Sequence, residues 1–155
     1  MHNWFECKIS YDKVTEDGFS KKVTEPYLVD ALSFTEAEAR IIEKMRPYIS
    51  GEFIVNDIKR AHFYETFLND TGDIYYRIKI NLITLDEKTG AEKKTSATIL
   101  VQASSIHDAI SSVDNMMKST MNDYVISSVA ETALIDVFPF EVVVRIPKDE
   151  NDAAE

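Results

Sequence analysis

A chain of 155 residues, 45% hydrophobic and 28% charged, has the size and balance of an ordinary packed domain, which excludes a disordered chain and a fold that depends on disulfides or a structural metal. Its formal net charge of −10 excludes a surface that holds duplex nucleic acid or anionic lipid by bulk attraction. Cys7 is the only cysteine, the N-terminus lacks the layout of a signal peptide, and no stretch approaches the roughly 18 apolar residues that span a bilayer; a cytoplasmic location without membrane contact is the expectation.

Trp4 to Tyr11 alternates Phe5, Cys7, Ile9 and Tyr11 with Glu6, Lys8 and Ser10, the period of a half-buried strand in which Cys7 serves as a small buried hydrophobe. Asp12 to Ser20, with Glu16-Asp17-Gly18, carries hairpin-loop chemistry, and Val23 to Ala31 returns as a second strand. Pro26 removes a ladder donor from that strand, which a sheet edge or bulge tolerates best. Its counterpart later in the chain, Thr98, carries no such restriction, so the two halves are expected to sit differently in the sheet. Ser33 with Glu36 places a side-chain acceptor and an acid where free helix amides need them. Ala37, Ile41 and Met45 then give one apolar face at a spacing of four, and Pro47 and Gly51 end the helix. Glu52 to Phe67 is rich in β-branched and aromatic residues, and its alternation breaks near Asn56-Asp57, as a kinked or bulged strand would. Asn69-Asp70-Thr71-Gly72 is the linker that follows.

From there the same order recurs. Tyr76 to Leu82 alternates, Asp86 to Gly90 forms a hairpin loop, and Thr95 to Ala103 returns. Ser105 with Asp108 caps a helix whose stripe is Ala109, Val113 and Met117, and Asp123 to Phe138 breaks its alternation near Ser127-Ser128. Placing Gly18 on Gly90 aligns Lys21-Lys22 with Lys93-Lys94, Leu28-Val29 with Leu100-Val101, Ser33 with Ser105 and Met45 with Met117. On either side the register slips by one, so that Phe5, Cys7 and Ile9 match Tyr76, Ile78 and Ile80, while Phe53 and Phe67 match Tyr124 and Phe138. Two compensating single-residue changes explain the slip, one in the first hairpin and one after the helix, where loops absorb them cheaply. The expected fold is α+β: a tandem duplication of a ββαβ unit, with antiparallel sheet or sheets and one helix per unit packed on them. The first unit spans 1–68 and the second 73–147, together one compact domain. The second unit includes a closing strand, Phe140 to Ile146, with no earlier counterpart, and 148–155 is a solvated acidic tail.

No constellation of residues demands a particular chemistry. His2, His62 and His107 are scattered without a second ligand at metal spacing, and Gly18, Gly51, Gly72 and Gly90 fall singly at turns, so no phosphate-cradling loop is present. Carboxylate pairs such as Glu36 and Glu38, or Asp136 and Glu141, are better explained as helix-end and strand-end acids. No catalytic residue, metal or cofactor is expected. A single-stranded nucleic acid could be held by the basic hairpin pairs Lys21-Lys22 and Lys93-Lys94 beside aromatic platforms such as Trp4 and Tyr76, with the acidic tail competing for the same groove. The plainer reading makes those lysines guards of the sheet edges and those rings part of the core.

Trp4-Phe5-Glu6-Cys7-Lys8, the run from Lys21 to Arg40 (KKVTEPYLVDALSFTEAEAR) and Ser128-Val129-Ala130-Glu131-Thr132-Ala133 resemble a domain-of-unknown-function family of short acidic proteins from Bacteroidetes and their phages. The resemblance covers nearly the whole chain apart from the tail and implies a bacterial or phage cytoplasmic setting. No catalytic or ligand-binding residues come with it. The expectation is a non-enzymatic binding or accessory protein acting through its sheet surface or edges on another protein or on itself, with single-stranded nucleic-acid binding as the alternative.

Overall fold

The computed structural model describes residues 2–140. Alternation in the first segment becomes β1 (Trp4–Val14) and β2 (Ser20–Asp30), an antiparallel hairpin in unbroken register from Trp4 opposite Asp30 to Val14 opposite Ser20. Next come α1 (Phe34–Met45), β3 (Phe53–Ala61) and β4 (Glu65–Phe67). The second half repeats the order with β5 (Ile74–Leu85), β6 (Glu92–Ala103), α2 (Ile106–Lys118), β7 (Asp123–Glu131) and β8 (Asp136–Phe138). The fold is α+β and is built from a duplicated unit.

The local chemistry of the two halves is the same down to the caps and turns. Ser33 accepts from the Glu36 amide and Ser105 from the Asp108 amide, each at 3.1 Å, which satisfies donors that the first turn leaves free. Gly18 and Gly90 adopt φ of 82° and 70°, left-handed backbone that a side chain would strain. The Thr15 amide closes the first turn on the Phe19 carbonyl and the Asp86 amide closes the second on Ala91. The second turn is therefore one residue longer. The stretch between Met45 and Phe53 is in turn one residue longer than that between Met117 and Tyr124. The two compensating changes fall where the sequence places them.

The bulges fall there too. Ile9 and Lys8 stand opposite Val55 and Asp57, leaving Asn56 as an extra residue, and Ile80 and Lys79 stand opposite Ile126 and Ser128, leaving Ser127. Asn56 spends its amide on the Ser10 hydroxyl, and Ser127 donates to the Lys79 carbonyl. The expected single strand from Glu52 to Phe67 is corrected, however, because the chain breaks at residues 62–64 and its two parts join different sheets. β3 stays beside β1, while β4 pairs in parallel with β6, Glu65 opposite Ile99 and Phe67 opposite Val101. β8 makes the reciprocal crossing to β2, with Tyr27 opposite Asp136 and Val29 opposite Phe138. The outcome is two four-stranded sheets, β3-β1-β2-β8 and β4-β6-β5-β7, each holding a short strand of the other unit.

The two halves are equivalent in their sheets, which corrects the inference drawn from Pro26. The Pro26 carbonyl accepts the Ile135 amide, and the Thr98 carbonyl accepts the Tyr64 amide at the same place in the twin sheet. In a strand the N–H and C=O of one residue point the same way. The donor that Pro26 lacks therefore faces outward just before β8 begins, where no ladder bond is lost.

The layers run helix, sheet, sheet, helix. One face of the first sheet presents Phe5, Cys7, Ile9 and Val29 to Ala37, Ile41 and Met45 of α1, and the second presents Tyr76, Ile78, Ile80 and Val101 to Ala109, Val113 and Met117 of α2. Burying each large apolar side chain contributes about 1.5–3 kcal/mol. The opposite faces meet through Trp4, Leu28 and Val137 of one sheet and Tyr75 and Leu100 of the other, with Leu134 packed against them. Gly72 enters the second sheet so closely that a Cβ there would lie 2.5 Å from the Ala103 Cα. No described helix is long and apolar enough to cross a membrane. The expected closing strand, apart from Phe140, and the acidic tail lie outside the described residues.

Candidate functional site

The residues that suggested a nucleic-acid groove are not brought together. Lys21 and Lys22 are exposed at the start of β2, opposite Lys13 and Asp12, and Lys93 and Lys94 are exposed on β6 opposite Thr84 and Ile83. Trp4 is 4% exposed between the sheets and Tyr76 3% exposed under α2. Along its strand each ring lies roughly 25 to 30 Å from the lysines, by the rise per residue. The stacking platform is corrected to core: the alternation that suggested a row of rings also presses that row against a helix or the facing sheet, so neither ring has a face free for a base.

An open groove instead lies along the outer edge of the first sheet. Among the described residues β3 pairs with β1 alone, so its other edge carries unpaired backbone groups. Between that edge and α1 runs a groove in two connected stretches of about 530 and 350 Å³, joined at Glu38 and Val55. Ile42, Phe53 and Ile54 line the first stretch, Phe34 and Ile58 the second, and Ile54 is 61% exposed. Glu38, Glu52 and Asp57 border the groove, with Arg46 in its lining and the Arg60 guanidinium over the Phe34 ring. Asn56 is the bulged residue in the middle of β3, where the local twist increases.

The matching seam of the second unit is built differently. Tyr124 and Asp114 occupy the places of Phe53 and Ile42, and the Tyr124 hydroxyl donates to the Asp114 carboxylate at 2.5 Å. That bond ties β7 to α2 and holds the phenol above its ordinary pKa, because the carboxylate favours the protonated hydroxyl.

A second hollow, of about 490 Å³, lies between the two sheets, with Leu28 and Leu134 in its lining. It sits on the axis relating the two units, since Glu6 and Arg77, Pro26 and Thr98, and Phe63 and Leu134 are matched pairs that line it together. Among the described residues, no three histidine, cysteine or carboxylate side chains converge to hold a metal. The Cys7 thiol is buried, and burial, then Glu6 and Asp57, push its pKa up to about 12; at neutral pH it is a packing group and not a nucleophile.

The sequence reading missed both hollows because each is assembled from elements distant in the chain. The signal in reach was the pair Ile42 and Phe53, apolar where the repeat has Asp114 and Tyr124.

With this geometry the chain matches the family described as Domain of unknown function (DUF4494) over residues 3–140, and it belongs to that family. No curated protein matches the chain.

Proposed function

We propose that this protein is a non-enzymatic binding module that receives an extended, basic polypeptide segment along the free edge of β3, under α1. The observation that carries the reading is the combination of an unpaired strand edge with an apolar groove bordered by three carboxylates. An added strand would gain main-chain hydrogen bonds from the edge, and its alternate side chains would enter the pockets beside Val55. Acidic borders favour a cationic occupant and disfavour a second copy of a chain that itself carries −10. A cytoplasmic setting goes with this reading, supported by the free thiol of Cys7, and a bacterial or phage origin rests on the sequence resemblance alone.

Fluorescence anisotropy with a labelled peptide of alternating lysine and valine tests it. Binding should be strongest at low salt and should fall sharply for Glu38→Lys, an exposed position whose change leaves the core intact. Absence of binding at low salt, or indifference to Glu38→Lys, would refute the groove as the site. Concentration-dependent dimers in sedimentation that vanish on mutation of Ile54 would replace the partner with a second copy.

A further inference from the structure

The hollow between the sheets has a composition at odds with the rest of the molecule. On a chain of net charge −10, its lining includes Lys8, Lys59, Arg60 and Arg77 against Glu6 as the one carboxylate, with His62 at the rim. Two of these cations are already engaged. Lys59 sits 3.4 Å from Glu6, and the Arg60 guanidinium turns to the other face of its sheet, over the rings of Phe5 at 5.4 Å and Phe34 at 5.7 Å. Lys8 and Arg77 have no ion-pair partner among the described residues. Asp57 stands opposite Lys8 across the ladder but makes no ion pair with it.

Lys8 comes from β1 and Arg77 from β5, on the sheet faces that look at each other across the hollow. The floor between them is apolar, formed by Leu28, Phe63 and Leu134. A planar guanidinium matches two oxygens of a phosphate or carboxylate at once, and an ammonium on the facing wall adds a third contact. An apolar floor beneath two such heads is the usual make-up of a small-ligand pocket, and the volume falls in the range such pockets occupy. We infer that the inter-sheet hollow is a binding site for a small organic anion, its phosphate or carboxylate held between Lys8 and Arg77 and its apolar or aromatic body resting on Leu28, Phe63 and Leu134.

The duplication explains why one such site forms. The axis brings Glu6 and Arg77 to matched positions on the two sheets, so opposite charges replace what an undiverged repeat would make identical. Glu6 is neutralised by Lys59, and Arg77 faces Ala130, the counterpart of Lys59, across its own ladder. The asymmetry leaves net positive charge in the hollow.

Isothermal titration of the full chain with adenosine monophosphate, benzoate and inorganic phosphate separates head from body. Adenosine monophosphate or benzoate should bind in the millimolar range or better, and inorganic phosphate more weakly, because it leaves the floor uncovered. Lys8→Ala and Arg77→Ala should each weaken binding about tenfold or more, as expected for loss of a charge-assisted hydrogen bond. Lys21→Ala, on the distant hairpin, should leave it unchanged. Arg77 is exposed, so its variant is expected to keep the fold, which circular dichroism checks. Three results would overturn the inference: no heat from any probe at millimolar concentration, equal affinity for all three in both variants, or binding of single-stranded oligothymidine without binding of adenosine monophosphate. None of these depends on the β3 groove, so failure here and failure of the peptide reading are separate outcomes.

Discussion

The seam between α1 and β3 and the seam between α2 and β7 begin from the same backbone and end as different surfaces. In the first, Ile42 and Phe53 leave an apolar groove beside a free strand edge, whereas in the second Asp114 and Tyr124 lock helix to strand with a hydrogen bond. The duplication therefore preserved what the core needs, an apolar stripe of Ala, Ile or Val, and Met on each helix, and left the outer rim free to diverge. Likeness of the interior pattern fixes the fold twice over; differences at the rim decide which copy carries an open groove.

The largest way to break the equivalence of the halves is at Gly72. Gly72→Ala would drive a methyl against the Ala103 backbone, 2.5 Å away, where backbone cannot yield as a flexible side chain can. A loss of about 3 kcal/mol is expected in urea unfolding. Gly18→Ala, with open space around it but a φ of 82°, should cost about 1 kcal/mol. Equal losses at the two glycines would contradict the close approach.

Met45→Ala and Met117→Ala test equivalence of the cores. Each methionine is 2% exposed under its own sheet, so each change should cost about 2–5 kcal/mol, and the two losses should agree closely. A loss confined to one of them would show that only one helix packs as described.

Alkaline pH should strain the first unit earliest, because its Cys7 thiol starts from 9.0, whereas the raised phenols of the second unit, Tyr75 and Tyr124, start from 10.0. The Cys7 thiol is pushed from 9.0 to about 12, chiefly by burial. The Tyr11 phenol rises from 10.0 to about 12, chiefly through its hydrogen bond to Glu25, and burial first of all raises Tyr27 as well. Their counterparts are Ile78, Leu82 and Ile99, which do not titrate. A folded pKa above the unfolded one means the native state holds its proton more tightly. That stability is fully present below the unfolded value and is lost as pH rises from about 9 toward 12. Cys7→Val should flatten the early part of the fall in a pH series of urea melts; an unchanged curve would remove the thiol as its cause.

The smallest effect sharpens the comparison most. Tyr124→Phe should cost at most about 1 kcal/mol, since its hydrogen bond is near the surface. The reciprocal transplant, Ile42→Asp with Phe53→Tyr, should close the first groove and abolish binding of the lysine-valine peptide while the melting curve stays near that of the parent. Retained binding would show that the groove is not where the peptide sits.

Much of this architecture was legible in advance because it is local. A serine three residues ahead of an acid, a glycine at a turn and an apolar residue every fourth position each depend on neighbours within a few residues, so both caps, both turns and both helix stripes follow directly. The bulges at Asn56 and Ser127 were legible for the same reason, as breaks in a period of two. The break after Ala61 was not, because residues 62–64 carry no glycine or proline and β4 is distinguished only by the sheet it joins. Trp4 and Tyr76 misled because period-two spacing gives the face of a ring's strand and says nothing of what covers that face.

By itself the sequence determined that this chain folds as two copies of one ββαβ unit, since short-range periodicity and caps are written twice in it. Only the tertiary structure decided that the copies exchange their last strands, bury the aromatic rows and open a groove beside β3 and a cationic hollow between the sheets. Those features arise from contacts between residues some tens of positions apart, whose pairing depends on how two finished surfaces fit and not on any neighbour along the chain.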